Sequence, residues 1–561
     1  MPKNNNNSNL VLEEYESEFL YQKPKSNLII SFNRVAFIFF VFLIISIIFS
    51  SKAIYLGGLK KAERKLEIFK LNFRSTILDN SGNIIAKTVI TNHVGIDPKL
   101  AINKQKLLIN LKLIFPNKNF NEIEKKLNGK NFFYIHKKIS QQKLEELLLL
   151  GDKSIIPEEK IARIYPQENL FSHIVGQIDD DNNGISGIEK SYDFELRKDN
   201  KPLHLTLDTN IQFLIREELI KFQKIFRNKG SASILMDVNN GNILSMVSLP
   251  DFNLNKREEI KDVNFINRAT KAVYEFGSVF KTFTLAAGFN EGIIEPETKF
   301  KNLKKKLNCA GNDIEEYDNK MPSDLTAEQI LIRSSNIGSV KIAQKLGIEK
   351  FVLFLKKIGI FEKIEFDIEE VGQTPILQWG KCKLATASFG HGISTTPLQL
   401  VKGYSIITNG GYYIEPTLIN KDDKKINQRR RILKKEVSKK INPILRKVVS
   451  TKEGTAGFAN VFGYEVGGKT GTADKSKFGG YSKDKINTFV SIFPTSKPKY
   501  ILLVLLDEPK PSKEYVYHYR DGRKPYKGNW RNTAGWTSVE VAGKIIEKIG
   551  PILATKYMEV N

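Results

Sequence analysis

One apolar segment near the amino terminus of the 561-residue chain is distinct from everything around it. Residues 35–51 carry no charged side chain, and together with residues 53–56 beyond Lys52 they are long enough to cross a bilayer as a helix. The pattern predicts a transmembrane anchor over residues 35–56. A cleaved signal peptide is the alternative, but the mostly polar stretch before the segment is longer than a usual signal-peptide n-region, which favours a retained anchor.

Beyond this segment, the spacing of apolar positions divides the chain into two regions. Residues 57–70 are typical of a helical stalk, and from Arg74 short strand-like runs alternate with lysine-rich amphipathic helices such as residues 141–150. Farther on, a strand pair over residues 231–249 precedes several helices, and strands return over residues 466–507. We therefore predict four parts: a tail over residues 1–34, an anchor over 35–56, an α+β pedestal over 57–201 and a second α+β domain over 202–561.

Three short motifs carry candidate chemistry, namely Ser278-Val-Phe-Lys281, Ser334-Ser-Asn336 and Lys469-Thr-Gly-Thr472. The apolar run after Ser278 predicts a buried helix, on which residues three apart share a face, so that Lys281 can reach the Ser278 hydroxyl. Serine needs a base to act as a nucleophile. A lysine serves as that base only if burial or a neighbouring cation lowers its pKa, and Lys469 is the candidate cation.

The second and third motifs supply candidate groups around the nucleophile. Ser334 and Asn336 can point the same way in an extended or turn segment, where one relays a proton and the other holds an amide; a helix cap before Ile337 is the alternative. In a strand, Gly471 allows close packing against its backbone. The backbone N–H groups of Thr472 and Ser278 could then form an oxyanion hole.

A nucleotide-binding site is the rival interpretation of the third motif. Residues 463–470 satisfy the P-loop pattern, and residues 501–508 resemble a strand that ends in acidic residues. A phosphate loop must open a helix, however, and the glycine- and lysine-rich residues 471–480 do not favour one. We therefore disfavour a P-loop ATPase and predict that residues 501–506 form a central strand of a covered sheet.

The motif order resembles that of the penicillin-binding proteins and serine β-lactamases. Residues 274–281, Tyr-Glu-Phe-Gly-Ser-Val-Phe-Lys, are similar to the family's Tyr-Glu-Pro-Gly-Ser-Thr-Phe-Lys, with Phe276 in place of proline and Val279 in place of threonine. Further similarity to transpeptidase domains lies in residues 334–341, 389–393, 396–399 and 409–411. Upstream, the chain resembles the pedestal of class B, monofunctional members in residues 74–82, 163–166, 173–176 and 184–189. Residues 181–189 resemble division (FtsI-type) members more than elongation members.

The resemblance implies a transpeptidase domain with a central antiparallel sheet flanked by helices, and a reaction without metal or organic cofactor. Ser278 would attack the D-Ala-D-Ala bond of a peptidoglycan stem peptide, with Lys281 as base. Ser334, Asn336 and Lys469 complete the catalytic set, and Thr470, Gly471 and Thr472 would bind substrate. β-Lactams should acylate the same serine. The implied partners are an FtsW-like glycosyltransferase and other divisome membrane proteins.

The resemblance also implies a single-pass protein of the bacterial inner membrane with a cytoplasmic tail and a periplasmic catalytic domain. The basic residues that follow the anchor outnumber those before it, which opposes this orientation, but large domains cross largely regardless of charge. The alternatives to a septal transpeptidase are an elongation-type enzyme, a D,D-carboxypeptidase or β-lactamase, and a catalytically inactive divisome scaffold.

Composition changes this interpretation little. The net charge of +25 could indicate nucleic acid, but no nucleic-acid motif accompanies it and lysine is abundant everywhere, which indicates a compositional bias. The six histidines are scattered without metal-ligand spacing, and we expect His391 to be structural. Cys309 and Cys382 could form a pair or remain two thiols.

Overall fold

The computed structural model describes residues 9–10, 30–70, 73–198, 201–256, 262–309, 312–375, 378–379, 381–420, 430–477, 480–520, 522–529 and 531–557. These fall into two units, Met1–Phe73 and Arg74–Asn561. The predicted tail over residues 1–34 lies almost entirely outside the described residues.

In the first unit, a single helix extends over Phe32–Lys70. Its segment Ala36–Tyr55 has a mean hydropathy of 2.5 and is, within the described chain, the one helix long and apolar enough to cross a membrane. The helix has 39 residues, about 58 Å at 1.5 Å per residue, whereas a bilayer's hydrocarbon core is only about 30 Å thick. The predicted anchor and the predicted stalk are therefore one continuous helix. A two-residue strand pair, Asn9–Leu10 with Ile30–Ser31, precedes it.

The amino-terminal part of the second unit combines a twisted sheet with short helices, as the alternating pattern predicts. Its long strand Ile84–Ile96 pairs antiparallel with Ile155–Ile164 over residues 87–96, with Phe133–Ile139 over residues 92–96 and with Ile77–Leu78 at its start. The strands are Ile77–Leu78, Ile84–Ile96, Phe133–Ile139, Ile155–Ile164 and Leu203–His204. The helices are Lys104–Ile114, Phe120–Asn128, Gln141–Leu148, Ser172–Val175, Gly187–Ser191 and Asp193–Lys198. The first three of these helices pack on the far end of the sheet around a small core of their own.

A five-stranded antiparallel sheet forms the centre of the carboxyl-terminal part. In spatial order its strands are Gly467–Lys477, Gly480–Phe493, Tyr500–Asp507, Gly230–Asp237 and Ile243–Leu249. All eight residues of Tyr500–Asp507 are buried, which requires cover on both faces of the sheet. The prediction of a central covered strand here is confirmed.

Two groups of helices supply that cover. Thr209–Phe226 and Ser538–Lys556 pack against each other and against the sheet, and Lys281–Asn290, Pro397–Thr408 and Lys435–Ser450 form the second group. The remaining helices are Ala327–Ile332, Asn336–Leu346, Ile348–Lys357 and Lys381–Ala387. Short strand pairs join Tyr274–Glu275 to Ser394–Thr395, Lys299–Phe300 to Leu325–Thr326, Lys306–Cys309 to Asn312–Glu315 and Val516–Tyr517 to Tyr526–Lys527.

Two open questions of the sequence are answered by the fold. Lys469 lies within the strand Gly467–Lys477 rather than at the start of a helix, so the P-loop interpretation is excluded. Cys309 and Cys382 form a disulfide with a Cα–Cα distance of 5.6 Å, so the two cysteines are a pair. The bond joins the short hairpin Lys306–Glu315 to the helix Lys381–Ala387.

Candidate active site

Ser278 lies in a single 3₁₀ turn, Gly277–Phe280, that leads directly into the helix Lys281–Asn290. Side chains three residues apart eclipse in a 3₁₀ turn, and the Lys281 N–H donates to the Ser278 carbonyl. Ser278 and Lys281 therefore share one side of the segment. Ser278 is partly exposed, whereas every residue of the following helix is buried.

The strand Gly467–Lys477 passes close to the nucleophile turn. Gly277 has a φ of +56°, and a Cβ on it would lie 2.7 Å from the Thr472 carbonyl oxygen. A Cβ on Gly471 would lie 2.1 Å from the carbonyl oxygen of Phe276. Both positions require glycine because the two backbones touch there. Phe276, which replaces the family's proline, is buried in the core.

Lys281 is fully buried and makes three polar contacts with the second motif. Its Nζ donates to the Ser334 carbonyl at 2.5 Å, to the Ser334 Oγ at 3.1 Å and to the Asn336 Oδ1 at 2.7 Å. An ammonium group has three donors, so these acceptors match its full capacity. The structure thus brings Ser334 and Asn336 together on Lys281, as the alternation of the motif predicts.

The backbone around Ser334 explains how one short turn does this. Ser334 has a φ of +59° and follows Arg333, the C-cap of the helix Ala327–Ile332. The Ser334 N–H donates to Leu331 and the Ser335 N–H to Ile330, which is the Schellman pattern that normally has glycine at the left-handed position. Ser335 is then the N-cap of the next helix, since its Oγ accepts from the Gly338 N–H at 2.9 Å. The cap interpretation therefore holds for Ser335, while its neighbours Ser334 and Asn336 contact Lys281.

Lys469 approaches the same hydroxyl from the outer strand of the described sheet. It is fully buried, and its Nζ donates to the Ser334 Oγ at 3.0 Å and to the Thr470 carbonyl at 3.1 Å. The Ser334 hydroxyl thus lies between the two lysine amines. The Thr470 hydroxyl is 2.7 Å from that of Thr455.

The hydroxyls of the third motif differ in their surroundings. The Thr472 hydroxyl accepts from the Ala534 N–H at 2.9 Å, which fixes its orientation. Thr470 instead lies within 3.4 Å of the Lys469 Nζ. Of the two threonines, Thr470 is the one whose hydroxyl borders the lysine pair.

Burial lowers the pKa of both lysines. The pKa of Lys281 falls to about 7, mainly because burial disfavours the ammonium form, while the carboxylate of Glu316 opposes the fall. The pKa of Lys469 is also well below its ordinary value, because of burial and then because of its proximity to Lys281. Two ammonium groups around one hydroxyl repel each other, so the pair titrates as a unit. A neutral amine is therefore available beside Ser334 near neutral pH.

A polar cluster joins three segments near the start of the nucleophile turn. The Tyr481 hydroxyl donates to the Glu275 carboxylate at 3.0 Å, and the Gly392 N–H donates to it at 2.9 Å. The ring of His391 stacks on that of Tyr481 with centroids 4.6 Å apart. These contacts tie the strand Gly480–Phe493 to the segment that precedes Ser278, and they give His391 a packing role.

Two residues of this site were not found by sequence reasoning. Glu316 and Thr455 lie outside the three motifs. Nothing in the sequence around either residue indicates that it contacts the site. Among the residues that the structure describes, no group of three or more His, Cys, Asp or Glu side chains is arranged to hold a metal ion.

Comparisons with known proteins agree with this architecture. The sequence model of the penicillin-binding protein transpeptidase domain matches residues 231–523, and that of the penicillin-binding protein dimerisation domain matches residues 72–212. The chain is 28% identical to the probable peptidoglycan D,D-transpeptidase FtsI of Caulobacter vibrioides, over 86% of this chain and 82% of that protein.

Other relatives extend the same similarity. The chain is 29% identical to the stage V sporulation protein D of Bacillus subtilis, over 78% of this chain and 74% of that protein. It is also 29% identical to the peptidoglycan D,D-transpeptidase FtsI of Buchnera aphidicola subsp. Schizaphis graminum, over 86% and 90% of the two chains. The chain therefore belongs to the penicillin-binding proteins that combine a dimerisation domain with a transpeptidase domain, and it is a peptidoglycan D,D-transpeptidase of this type.

Proposed function

We propose that the protein cross-links stem peptides ending in D-Ala-D-Ala through an acyl-enzyme on Ser278. The observation that carries this proposal is the Ser334 hydroxyl between two buried lysine amines, 3.1 Å from Lys281 and 3.0 Å from Lys469. This arrangement offers a neutral base one turn from Ser278 and a hydroxyl through which a proton can move.

The acylation step exchanges one acyl bond for another. Lys281 takes the proton of the Ser278 hydroxyl, and the Ser278 Oγ bonds to the carbonyl carbon of the penultimate D-alanine. The bond from that carbon to the nitrogen of the terminal D-alanine then breaks, and the proton returns to this nitrogen through Ser334. The N–H groups of Ser278 and Thr472 stabilise the oxyanion; removal of one such donor typically costs about 2.7–4 kcal/mol.

Substrate binding uses the outer strand of the sheet. An extended stem peptide can add alongside residues 470–472 through backbone hydrogen bonds. Thr470 would hold the terminal carboxylate because its hydroxyl borders Lys469. Asn336 would hold a substrate amide. In the second step, an amine of a neighbouring stem peptide attacks the ester carbon and the bond from that carbon to the Ser278 Oγ breaks. One proton of the amine passes through Lys281 to the Ser278 oxygen, which restores the serine as the cross-link forms.

Hydrolysis of the acyl-enzyme by water is the competing outcome, as in a D,D-carboxypeptidase or β-lactamase. The one Glu-x-x-Leu-Asn segment of the sequence, Glu124 to Asn128, ends the pedestal helix Phe120–Asn128 and lies outside the transpeptidase match. It is therefore not placed to position a deacylating water at Ser278, which disfavours rapid hydrolysis. A scaffold with a decayed site is disfavoured because Ser278, Lys281, Ser334, Asn336 and Lys469 are all intact.

Intact-mass spectrometry of the detergent-solubilised full chain with a penicillin tests the nucleophile. We expect a stable adduct of one drug mass in the wild type and none in Ser278→Ala. Ser140→Ala is the matched control, because Ser140 also lies three residues before a lysine, but it caps a pedestal helix and should not affect the adduct. Rapid turnover would indicate a hydrolase, and a folded wild type without adduct or turnover would indicate a scaffold.

The cellular role that we propose is septal wall synthesis. It is supported by the names of the FtsI relatives, while another relative is named for sporulation. The proposed organisation is a cytoplasmic tail over residues 1–34, an inner-membrane anchor over 35–56, and on the periplasmic side a pedestal over 57–201 and a transpeptidase domain over 202–561, with FtsW-like and other divisome partners. Depletion of the protein should give filamentous cells, whereas round cells would indicate an elongation role.

A further inference from the structure

We propose that Glu316 is a positioning residue for acyl transfer, which holds the turn Ser334–Asn336 in place and sets the charge beside Lys281. This inference rests on the proposed function of Ser278. Glu316 lies immediately after the short hairpin Lys306–Glu315, outside all three motifs, and its carboxylate is half-buried against the second motif.

Two donors of the second motif and the N–H of the residue after it converge on this carboxylate. Its Oε1 accepts from the Ser335 hydroxyl at 2.5 Å and from the Ile337 N–H at 3.0 Å, and its Oε2 accepts from the Asn336 N–H at 2.8 Å. The two amides open the helix Asn336–Leu346 and have no partner within the helix. The positive end of the helix dipole favours a carboxylate at the same place. One side chain therefore fixes both the backbone and the cap of the turn.

The backbone of Ser334 needs such support. A non-glycine residue in the left-handed region persists only where surrounding contacts over-determine it. Toward the preceding helix, the Ser334 N–H donates to the Leu331 carbonyl and the Ser335 N–H donates to the Ile330 carbonyl. On its carboxyl side, the next three residues are all held by Glu316. Loss of these contacts would allow the Ser334 hydroxyl to leave its place between the lysines.

The hairpin that carries Glu316 is itself anchored. The Glu316 N–H donates to the Lys305 carbonyl at 3.1 Å, and the Glu315 carbonyl accepts from the Asn336 side-chain amide at 2.7 Å. At its other end, Cys309 is bonded to Cys382. Glu316 is thus placed by a fixed element rather than by a free loop.

The charge of Glu316 also reaches the base. The charged groups that face Lys281 are Glu316 from the hairpin and Lys469 from the outer strand. Glu316 stabilises the ammonium form of Lys281 and so raises its pKa against the effect of burial. Acylation needs the neutral amine, so its rate rises with pH through the pKa of Lys281. Removal of the negative charge should therefore move this rise to lower pH.

The test is the second-order rate constant for acylation of the full chain by a penicillin, measured from pH 5 to 9. We expect Glu316→Gln to lower the rate constant on its high-pH plateau on the order of tenfold to a hundredfold, because a small displacement of a catalytic group slows a reaction by that factor. We also expect its acidic limb to move to lower pH. Glu316→Asp keeps the charge and should keep the limb of the wild type.

Glu315→Gln is the matched control. Glu315 is the neighbouring acidic residue, its side chain is mostly exposed beside Lys306, and it contacts the second motif only through its backbone. Its plateau and limb should equal those of the wild type.

Three outcomes would overturn the inference. Glu316→Gln could show the same dependence of the acylation rate constant on pH as the wild type, or a lower plateau with its acidic limb at the same pH as in the wild type. Alternatively, Glu315→Gln could shift the acidic limb as far as Glu316→Gln does. If the wild type is acylated and Ser278→Ala is not, such a result refutes only the role of Glu316. If the wild type itself is not acylated, the proposed function fails and this inference fails with it.

Discussion

Ser334 combines a backbone conformation that suits glycine with a hydroxyl that glycine lacks. It stands at the left-handed position of a helix end with a φ of +59°, and its Oγ contacts both buried lysines. A left-handed conformation costs a non-glycine residue about 1–2 kcal/mol. The site therefore keeps a serine at a position where stability alone would favour glycine, which is typical of functional residues.

Substitution of Ser334 should separate stability from activity. Ser334→Gly and Ser334→Ala both remove the hydroxyl, but only alanine keeps the cost of the left-handed conformation. We expect the free energy of unfolding of Ser334→Gly to exceed that of Ser334→Ala by about 1 kcal/mol. We expect both variants to acylate with a penicillin roughly 10²–10⁴-fold more slowly than the wild type, as for loss of a proton-transfer group. Chemical denaturation and acylation kinetics measure the two quantities; equal stabilities would contradict the backbone argument.

The sequence identifies site residues that lie within one short motif. It does not identify a residue that reaches the site from a distant part of the chain. Ser278 and Lys281 are three residues apart, so their proximity follows from helix geometry alone. Glu316 reaches Ser335 from 19 residues away. It is one of 62 acidic residues, and nothing in its local sequence marks it as the cap of that helix.

Among the elements around the site, some could be predicted from the sequence and others could not. Residues 463–470 satisfy a P-loop pattern, and the poor helix propensity of the residues after Lys469 is enough to disfavour a phosphate loop from sequence alone. The strand Gly467–Lys477 then excludes it. The disulfide, by contrast, could not be inferred from two cysteines 73 residues apart. Its partners become close only when the hairpin and the helix Lys381–Ala387 pack together.

Reduction of this disulfide should weaken both the fold and the site. A disulfide that closes a loop of this length typically contributes about 2–5 kcal/mol, and the hairpin that it anchors carries Glu316. We therefore expect a reductant to lower the free energy of unfolding of the wild type by this amount and to slow acylation. The double variant Cys309→Ser/Cys382→Ser should behave like the reduced protein with or without reductant. A wild type insensitive to reductant, with the bond shown to be reduced, would contradict this expectation.

On the scale of the whole molecule, the larger hydrophobic core does not end at the predicted domain boundary between residues 201 and 202. It includes Ile77, Phe171 and Ile188 from before that boundary as well as the helices and sheet of the transpeptidase part. The sequence could indicate a change of pattern there, but not that the buried surfaces join, because joining depends on tertiary packing. The small core around Leu111 and Leu147 is, in contrast, separate.

A buried charge cluster lies in the pedestal side of this shared core. Glu189 is fully buried and accepts from the guanidinium groups of Arg74 and Arg163, the latter at 2.8 Å. The Tyr165 hydroxyl donates to the same carboxylate at 3.3 Å. Removal of one member of such a cluster leaves buried charge without compensation.

Glu189→Gln should therefore destabilise the catalytic domain as well as the pedestal. We expect a loss of about 3–5 kcal/mol in the free energy of unfolding, the usual cost of breaking a buried ion pair. Because the core is continuous, penicillin binding and near-ultraviolet circular dichroism should be lost at the same, lower denaturant concentration. Glu159→Gln, an exposed position on the long pedestal sheet, is the control and should unfold like the wild type. If penicillin binding survives to the denaturant concentration of the wild type while the pedestal unfolds earlier, the two parts fold independently and the shared core does not couple them.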